Sequence, residues 1–592
     1  VSRSPQLRRR LELLYHQRPG WVDVLLCGFL PGMLAGAQLA GLLLFLNPHL
    51  GRSPGTLVLL AWVYGGALGL AGLSVQLPAT FGRPYRARRL LPWGLTIALL
   101  AAAVLNTVQA SYYAFYLAPG VNSRLIKAGM VLGVTALVAF YTALLHSLHR
   151  RRYGRRSRIG FILLVFASLF VMVERLQSYE LRPEASRTAA TAGEKPRLRM
   201  VTVALEGATL DAILPLAEQG RVPFLATMLR EGAGGRLETL SPNRRPAVWT
   251  SLFTGKNPYR HEILGDATWS APMLGPDARL WLLPAGVGFE HWGLWGMDRR
   301  PVTRAALRSL SLAQILARLG APAATVGWPL TTPPAPELRF SLAESFFSPA
   351  PTLRSAQPPD VAERARLFRP EAAELDPEIL KRFGAALPPS QRLALEGDVW
   401  RQDLSLFLVD QAPEVSGLFI ALPGLGEVSR QTFSGYAEVQ FEGGGDDEAR
   451  RAHEQLAAYY GQLDAYLAEL WKHLPEPRLL VVVSPCGAEA LGTVPRWWRG
   501  LTQGSTVRGS LAGDNDGVLL LYGEDIRPGA RLADAQLVDV VPTLLYAFGY
   551  SIAKDLDGEV LTSAFTARRT SRQPLTVVPT YDALPLPEPA VR

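Results

Sequence analysis

The chain has few of the residues that staple folds or hold metals: two cysteines and eight histidines in 592 positions. Cys27 lies inside a long apolar run and Cys486 sits far away in a mixed segment. No disulfide between them is expected, so the fold must rest on its core. Acidic residues are nearly missing from the first third. Residues 1–176 hold 19 Lys+Arg against 3 Asp+Glu, whereas the remainder holds 42 against 48. The overall net charge of +10 is therefore confined to one region. A nucleic-acid partner would need a basic face on the folded part of the chain, and that reading is excluded. Internal repeats are also missing.

What fills the first third is apolar sequence. Five runs (21–46, 56–77, 90–117, 126–145 and 159–173) approach the ~20 residues that cross about 30 Å of hydrocarbon, the last being short. A cleavable signal peptide is a poor alternative, because the first run is too long and four more follow. Fifteen arginines fall at the N-terminus, in 83–89 and in 150–158, against Arg52, Arg124 and Lys127 in the other connections. The positive-inside rule puts the N-terminus in the cytoplasm, and five crossings deliver the C-terminal part outside the plasma membrane. The same arginines suit anionic headgroups, so the lipid bilayer is the first partner expected. Trp21, Trp62, Trp93, Tyr112 and Tyr113 lie near run ends, as interfacial aromatics do. Ionisable residues stay at the edges of the runs, at Asp23 and Glu174, which argues against transport or proton relay. Gln38, Asn106 and Gln109 read as interhelical hydrogen-bonding groups, with a lipid-headgroup site as the alternative.

Residues 177–197 are polar, carry Pro, Ala and Thr without an apolar period, and read as a linker. Beyond it, buried-strand candidates at 200–205, 324–328, 417–422, 479–484 and 518–522 alternate with helical patterns at 211–231, 310–319, 447–474 and 535–548. Such alternation predicts an α/β/α domain with a mainly parallel sheet, whose ligands bind at the carboxyl ends of the strands. The expected organisation is a five-helix membrane domain (1–176), the linker, an exported domain (198–565) and a loosely docked or disordered tail (566–592).

Four segments carry a more specific signal. They are VTVALEGATLDAILPLAEQGRVPFLATMLREGAGGRLETLSP (201–242), PAVWTSLFTGKNPYRHEI (246–263), SLAQILARLGAPAATVGWPLTTPP (311–334) and DVVPTLLYAFGYSIAKDLDGEVL (539–561). In this order they resemble blocks of the type I phosphodiesterase/nucleotide pyrophosphatase branch of the alkaline phosphatase superfamily. The resemblance implies an alkaline-phosphatase-like fold and hydrolysis of phosphoesters by two metal ions, usually zinc, with a Thr or Ser that is transiently phosphorylated. The five runs before the domain also resemble, in layout alone, lipoteichoic-acid synthases and phosphoethanolamine transferases.

At the positions the resemblance marks, the chain departs from the family. The first metal aspartate is Glu206, and the nucleophile, four residues before Trp249, is Arg245. The family's Asp-x-x-x-His falls on Gly426 and Arg430; sliding the register to Pro423 and Glu427 does not restore it, and no histidine here has an aspartate four residues before it. The later Asp-His pair is Pro485 and Cys486, and the last metal histidine falls near Gly513. Of the remaining histidines, His261 matches a loop residue that is usually not a ligand. His291 reads as packed or surface, and His453 and His473 as lying on a solvated helix face. Zinc wants three or four Asp, His or Cys ligands, so no metal cofactor is expected. A single calcium held by Glu206 with Asp514 and Asp516 is the weaker alternative, since Asp-Asn-Asp-Gly is more often a turn.

Two arginines, Arg245 and Arg430, thus map to a region built for phosphate. One reading is an anion pocket for a headgroup, a phosphate-bearing glycan or an acidic partner. The other is a plug in which Arg245 pairs with Glu206 and fills the space left by metal. The expected function is a membrane-anchored pseudoenzyme of bacterial type: a binding or scaffolding module at the outer face of the plasma membrane, with an envelope protein or phosphate-bearing ligand as partner. Two alternatives stay open. One is an active metal-dependent phosphodiesterase or phosphotransferase on envelope phosphoesters, with Cys486 as one route to a nucleophile; the other is that the membrane half is itself the functional part.

Overall fold

The computed structural model describes residues 21–50, 53–80, 87–149, 155–173, 198–289, 297–348, 355–370, 375, 377–383, 387–491, 509–511 and 515–586. It divides into two compact units. The first contains helices α1 (Trp21–Leu46), α2 (Pro54–Thr80), α3 (Ala87–Tyr112), α4 (Pro119–Leu148) and α5 (Arg155–Val173). Among the described residues four helices are long and apolar enough to cross a membrane: Val24–Leu46, Pro54–Pro78, Leu90–Tyr112 and Pro119–Leu148. The fifth run also forms a helix, but α5 has 19 residues and opens on Arg155, Arg156 and Arg158, which shortens its apolar stretch.

Small residues let α1 and α2 approach closely. A Cβ placed on Gly32 would sit 2.0 Å from the Leu68 carbonyl oxygen, and one on Gly36 would sit 2.3 Å from the Gly65 amide nitrogen. In lipid no hydrophobic drive pulls helices together, so such backbone contact supplies the packing energy. Of the three polar residues noted in the runs, Gln38 does bond across helices, from Nε2 to the Ser168 carbonyl on α5 at 3.0 Å. Asn106 instead donates to Ala102 in its own helix, one turn back. Gln109 leaves the helices altogether and binds Ala285. Tyr113 is fully buried and donates to the Leu283 carbonyl, so it is no interfacial aromatic. Leu283 and Ala285 belong to Ala267–Arg300, a segment that groups with the helices although it falls within the domain expected at 198–565.

The second unit is built on a ten-stranded sheet. Its strands are β1 (Arg199–Leu205), β2 (Ala233–Glu238), β3 (Ala323–Trp328), β4 (Phe340–Ala343), β5 (Ala356–Gln357), β6 (Gly417–Leu422), β7 (Arg478–Ser484), β8 (Gly517–Gly523), β9 (Ala530–Arg531) and β10 (Ala535–Gln536). They lie in the order β9-β2-β8-β7-β1-β6-β3-β4-β5, with β10 also on β2. The central run β7-β1-β6-β3-β4 is parallel. On one side β8 runs antiparallel to β7 and to β2, and on the other β5 runs antiparallel to β4, so antiparallel strands flank the parallel centre of a mixed sheet.

Both faces of the sheet are covered, which is why its central strands read as unbroken apolar runs. Val201, Val203 and Leu205 face one core layer, and Met200 and Ala204 face the other. Helices α6 (Leu210–Glu218), α7 (Pro223–Glu231), α10 (Pro389–Gln411), α11 (Gly424–Glu442) and α12 (Asp447–His473) pack on the first face. Helices α8 (Arg245–Thr254), α9 (Leu312–Arg318) and α13 (Val540–Phe548) pack on the second. The tail, as far as residue 586, does not hang loose. Val577–Val578 pairs with Ile552–Ala553, Tyr581 is buried, and Asp582 accepts from the buried Lys256 ammonium at 2.6 Å.

Candidate functional site

The parallel register fixes what converges at the carboxyl end of the sheet. Leu205 of β1 lies opposite Leu422 of β6, and Ala204 opposite Val483 of β7. Residues that follow these three strands must therefore meet, and they are Glu206, the 423–426 turn and Pro485-Cys486. Gly207, at φ +86°, allows the chain to turn directly after Glu206; it bridges Gly487, whose neighbour Ala488 donates to its carbonyl.

The fourth contributor is Arg245, the first residue of α8, ahead of Pro246. Its Nε donates to Glu206 Oε1 at 2.8 Å and Oε2 at 3.1 Å, and its Nη2 reaches Oε2 at 3.0 Å. The other edge of the same guanidinium is held by Glu344, with Nη2 to Oε1 at 2.7 Å and Nη1 to Oε2 at 3.4 Å. Arg245 also lies over the Trp249 ring, 5.8 Å from its centroid. Burial alone would lower the arginine's pKa, but the charges of Glu206 and Glu344 and their hydrogen bonds overcome this and hold it above its ordinary value. Arg430 approaches Glu206 from α11 at 3.7 Å and pairs with Glu427 at 2.9 Å. Glu206 is only 3% exposed, so its charge is neutralised inside the protein and not by water.

The other positions marked by sequence are close by but chemically silent. A Cβ on Gly426 would lie 3.1 Å from Glu206 Cγ and 2.9 Å from a Leu511 methyl, so the site has closed on the place where a carboxylate stem would stand. Pro485 contributes its carbonyl to the Thr239 hydroxyl. Cys486 is buried, and burial together with the charge of Glu206 pushes its thiol up to about 12, so it is not a ready nucleophile. Gly513, Asp514 and His291 lie outside the described residues. A cavity of about 180 Å³ remains in front of the cluster, lined by Glu206, Asn243, Arg245, Trp249, Arg430 and Cys486.

The histidines stand apart from this site. His261 is fully buried; its Nδ1 accepts from the Ile263 amide at 3.1 Å and its Nε2 faces the Ser251 hydroxyl at 2.9 Å. Burial and the neighbouring Lys256 charge lower its pKa to about 3, so the ring stays neutral. His453 is not on a solvated face but is 9% exposed and stacks on Tyr436 with centroids 4.9 Å apart. His473 pairs with Asp410 at 3.0 Å, a contact that raises its pKa.

Sequence inspection missed Glu344 because it lies just past β4 in a short 3₁₀ turn with no motif around it. It also missed a second buried pair behind the first. Asp398 accepts from the Gly424 amide and from the Tyr459 hydroxyl at 2.9 Å and faces Arg401 at 4.0 Å. Burial raises the Asp398 carboxyl to about 6 against the pull of Arg401.

Two zinc ions do not fit these residues. The one carboxylate at a marked position is saturated by Arg245, Gly426, Pro485 and Gly513 have no donor side chain, and Arg430 brings a positive charge. Among the described residues no group of three or more His, Cys, Asp and Glu is placed to hold a metal ion.

Residues 200–498 match the family model for type I phosphodiesterase / nucleotide pyrophosphatase. No curated protein matches the chain. Solved structures similar to it include phosphonoacetate hydrolase from Sinorhizobium meliloti 1021 (15% identity, TM-score 0.31, 52% of this chain). This chain spans 63% of that hydrolase's length. Similar too are the alkaline phosphatase PafA (12%, TM-score 0.40, 64% of this chain and 100% of that one) and a phosphonate monoester hydrolase from Silicibacter pomeroyi (13%, TM-score 0.35, 63% and 78%).

Proposed function

We propose that this chain, which belongs to the type I phosphodiesterase / nucleotide pyrophosphatase family, is a membrane-anchored pseudoenzyme that acts as a binding or scaffolding module at the outer face of the plasma membrane. The observation that carries the proposal is Arg245, held at the nucleophile position between Glu206 and Glu344. A guanidinium there can neither attack phosphorus nor share a site with two dications, since like charges a few ångströms apart in a partly dry site repel strongly.

The same geometry favours a self-filled site over an anion pocket. Three carboxylates (Glu206, Glu344, Glu427) stand against two guanidinium groups, so the cluster carries no net positive charge to attract phosphate. The scaffold reading then places recognition on other surfaces, with the helices as anchor and the arginine-rich connections on the cytoplasmic side.

The test uses the full chain purified in detergent, with metal content and turnover of an aryl phosphodiester measured together. Substoichiometric zinc and no turnover above a protein-free blank are expected. Two equivalents of zinc, with activity lost on chelation and regained on zinc addition, would sink the proposal and reinstate a working phosphodiesterase.

A further inference from the structure

Polar side chains buried at the ends of membrane helices are costly unless their hydrogen bonds are met, so their partners reveal what they are for. Asn47, just past the last residue of α1, is fully buried and takes hold of one short stretch of backbone. Its Oδ1 accepts from the Trp281 amide at 2.6 Å and the Leu282 amide at 3.1 Å, and its Nδ2 donates to the Leu282 carbonyl at 2.8 Å. Gln109 of α3, also fully buried, repeats the pattern: Oε1 accepts from the Ala285 amide at 2.9 Å and Nε2 donates to the Ala285 carbonyl at 2.8 Å. Between them Tyr113 donates to the Leu283 carbonyl at 2.8 Å. His49 stacks on Trp281 with centroids 3.6 Å apart, and Tyr64 of α2 packs against the buried Phe289.

A carboxamide can meet both the N–H and the C=O of one residue, as a neighbouring β-strand would. Two such amides and a tyrosine at one end of a helix bundle form a receptor for a short peptide, and residues 280–289, irregular over 281–284 and turning from 285, occupy it. We propose that this segment is a strap: a built-in peptide ligand through which the phosphodiesterase-family domain is held to the helix bundle independently of the 177–197 linker. The segment leaves that domain after Asp266 and re-enters it at Pro301, so its docking would secure the domain at two further points of chain. The inference does not depend on whether the family site is active.

The experiment inserts a protease site in the linker of the full chain, in membranes, cuts to completion and asks whether the C-terminal fragment sediments with the bilayer. The wild-type fragment is expected to remain bound. Gln109→Ala is expected to raise the released fraction about tenfold, the change implied by stranding one buried hydrogen-bonding pair. Ala285→Pro changes only the strap, removing the amide that Gln109 accepts, and is expected to do the same with the bundle intact. Release of the wild-type fragment on cutting, or retention of both variants at the wild-type level, would overturn the strap.

Discussion

Arg245 is the residue on which the site turns, and its energetics are distinguishable from those of an ordinary surface arginine. Removing one partner of a buried pair leaves the other charge desolvated, at a cost of about 3–5 kcal/mol, whereas exposed pairs contribute about 0–1 kcal/mol. Glu206 is the buried partner here, while Arg245 itself is partly open. Arg245→Ala is therefore expected to destabilise the domain by roughly 3 kcal/mol, the lower end of that range. Arg236→Ala breaks the exposed pair with Asp211 and should cost about 0.5 kcal/mol. Denaturant unfolding followed by tryptophan fluorescence separates the two, and equal small effects would mean that Arg245 closes nothing. The pairing was one of two readings open in sequence, because the family resemblance marks Glu206 after a strand and Arg245 four residues before Trp249. Glu344 was not. It reaches the cluster only because β4 lies two strands from β6, a fact of sheet order that no local pattern encodes.

Helices and strands were legible where burial is two-sided or the period is long. Residues 447–474 read as one helix and form one, Asp447–His473. Residues 211–231 also read as one, but Gly220, at φ +71°, and Pro223 split them into α6 and α7. Residues 535–548 begin as strand β10 pairing with β2, and only Val540–Phe548 is α-helical. Helix α11 is not visible in sequence because its opening Gly-Leu-Gly presents no apolar face, although only glycine fits at 424, where a Cβ would run into the Tyr459 hydroxyl. In the membrane half, close glycine contact makes a prediction that hydropathy cannot. Gly36→Leu forces a side chain into the α2 backbone, whereas Gly133→Leu on α4 meets open space. Thermal unfolding in detergent should fall by many degrees for the first and stay near wild type for the second. Equal behaviour would mean that α1 and α2 do not pack as described.

The architecture of the whole chain was only partly written in composition. Apolar runs announced the helices, and a charge change between residues 1–176 and the rest announced a separate domain. The excursion at Ala267–Arg300 and the docking of the tail were invisible, because both depend on partners hundreds of residues away. Helix α5 has a short apolar stretch, yet the strap gives a reason to propose that it crosses. Residues 280–289, which follow α5 in the chain, bind where α1 and α3 end, whereas the basic connections flank the opposite ends. With cysteines introduced at Arg156 and at exposed Leu393, in a background lacking Cys27 and Cys486, an impermeant maleimide should label only Leu393→Cys from outside. Labelling of both from the same face would mean that α5 stays on one side of the membrane.

The clasp around Arg245 extends further than two carboxylates. Glu427, Arg430, Glu206, Arg245 and Glu344 alternate in sign, and beyond them Arg401 senses Glu344 and faces Asp398. On the proposed pseudoenzyme reading, such a row makes hydrolytic chemistry hard to install one step at a time. Exchanging any arginine for a ligand sets two acids against each other, and exchanging any acid strands a cation. On that reading each single exchange toward a metal ligand would be a loss before it was a gain, so gaining hydrolysis would demand several changes at once.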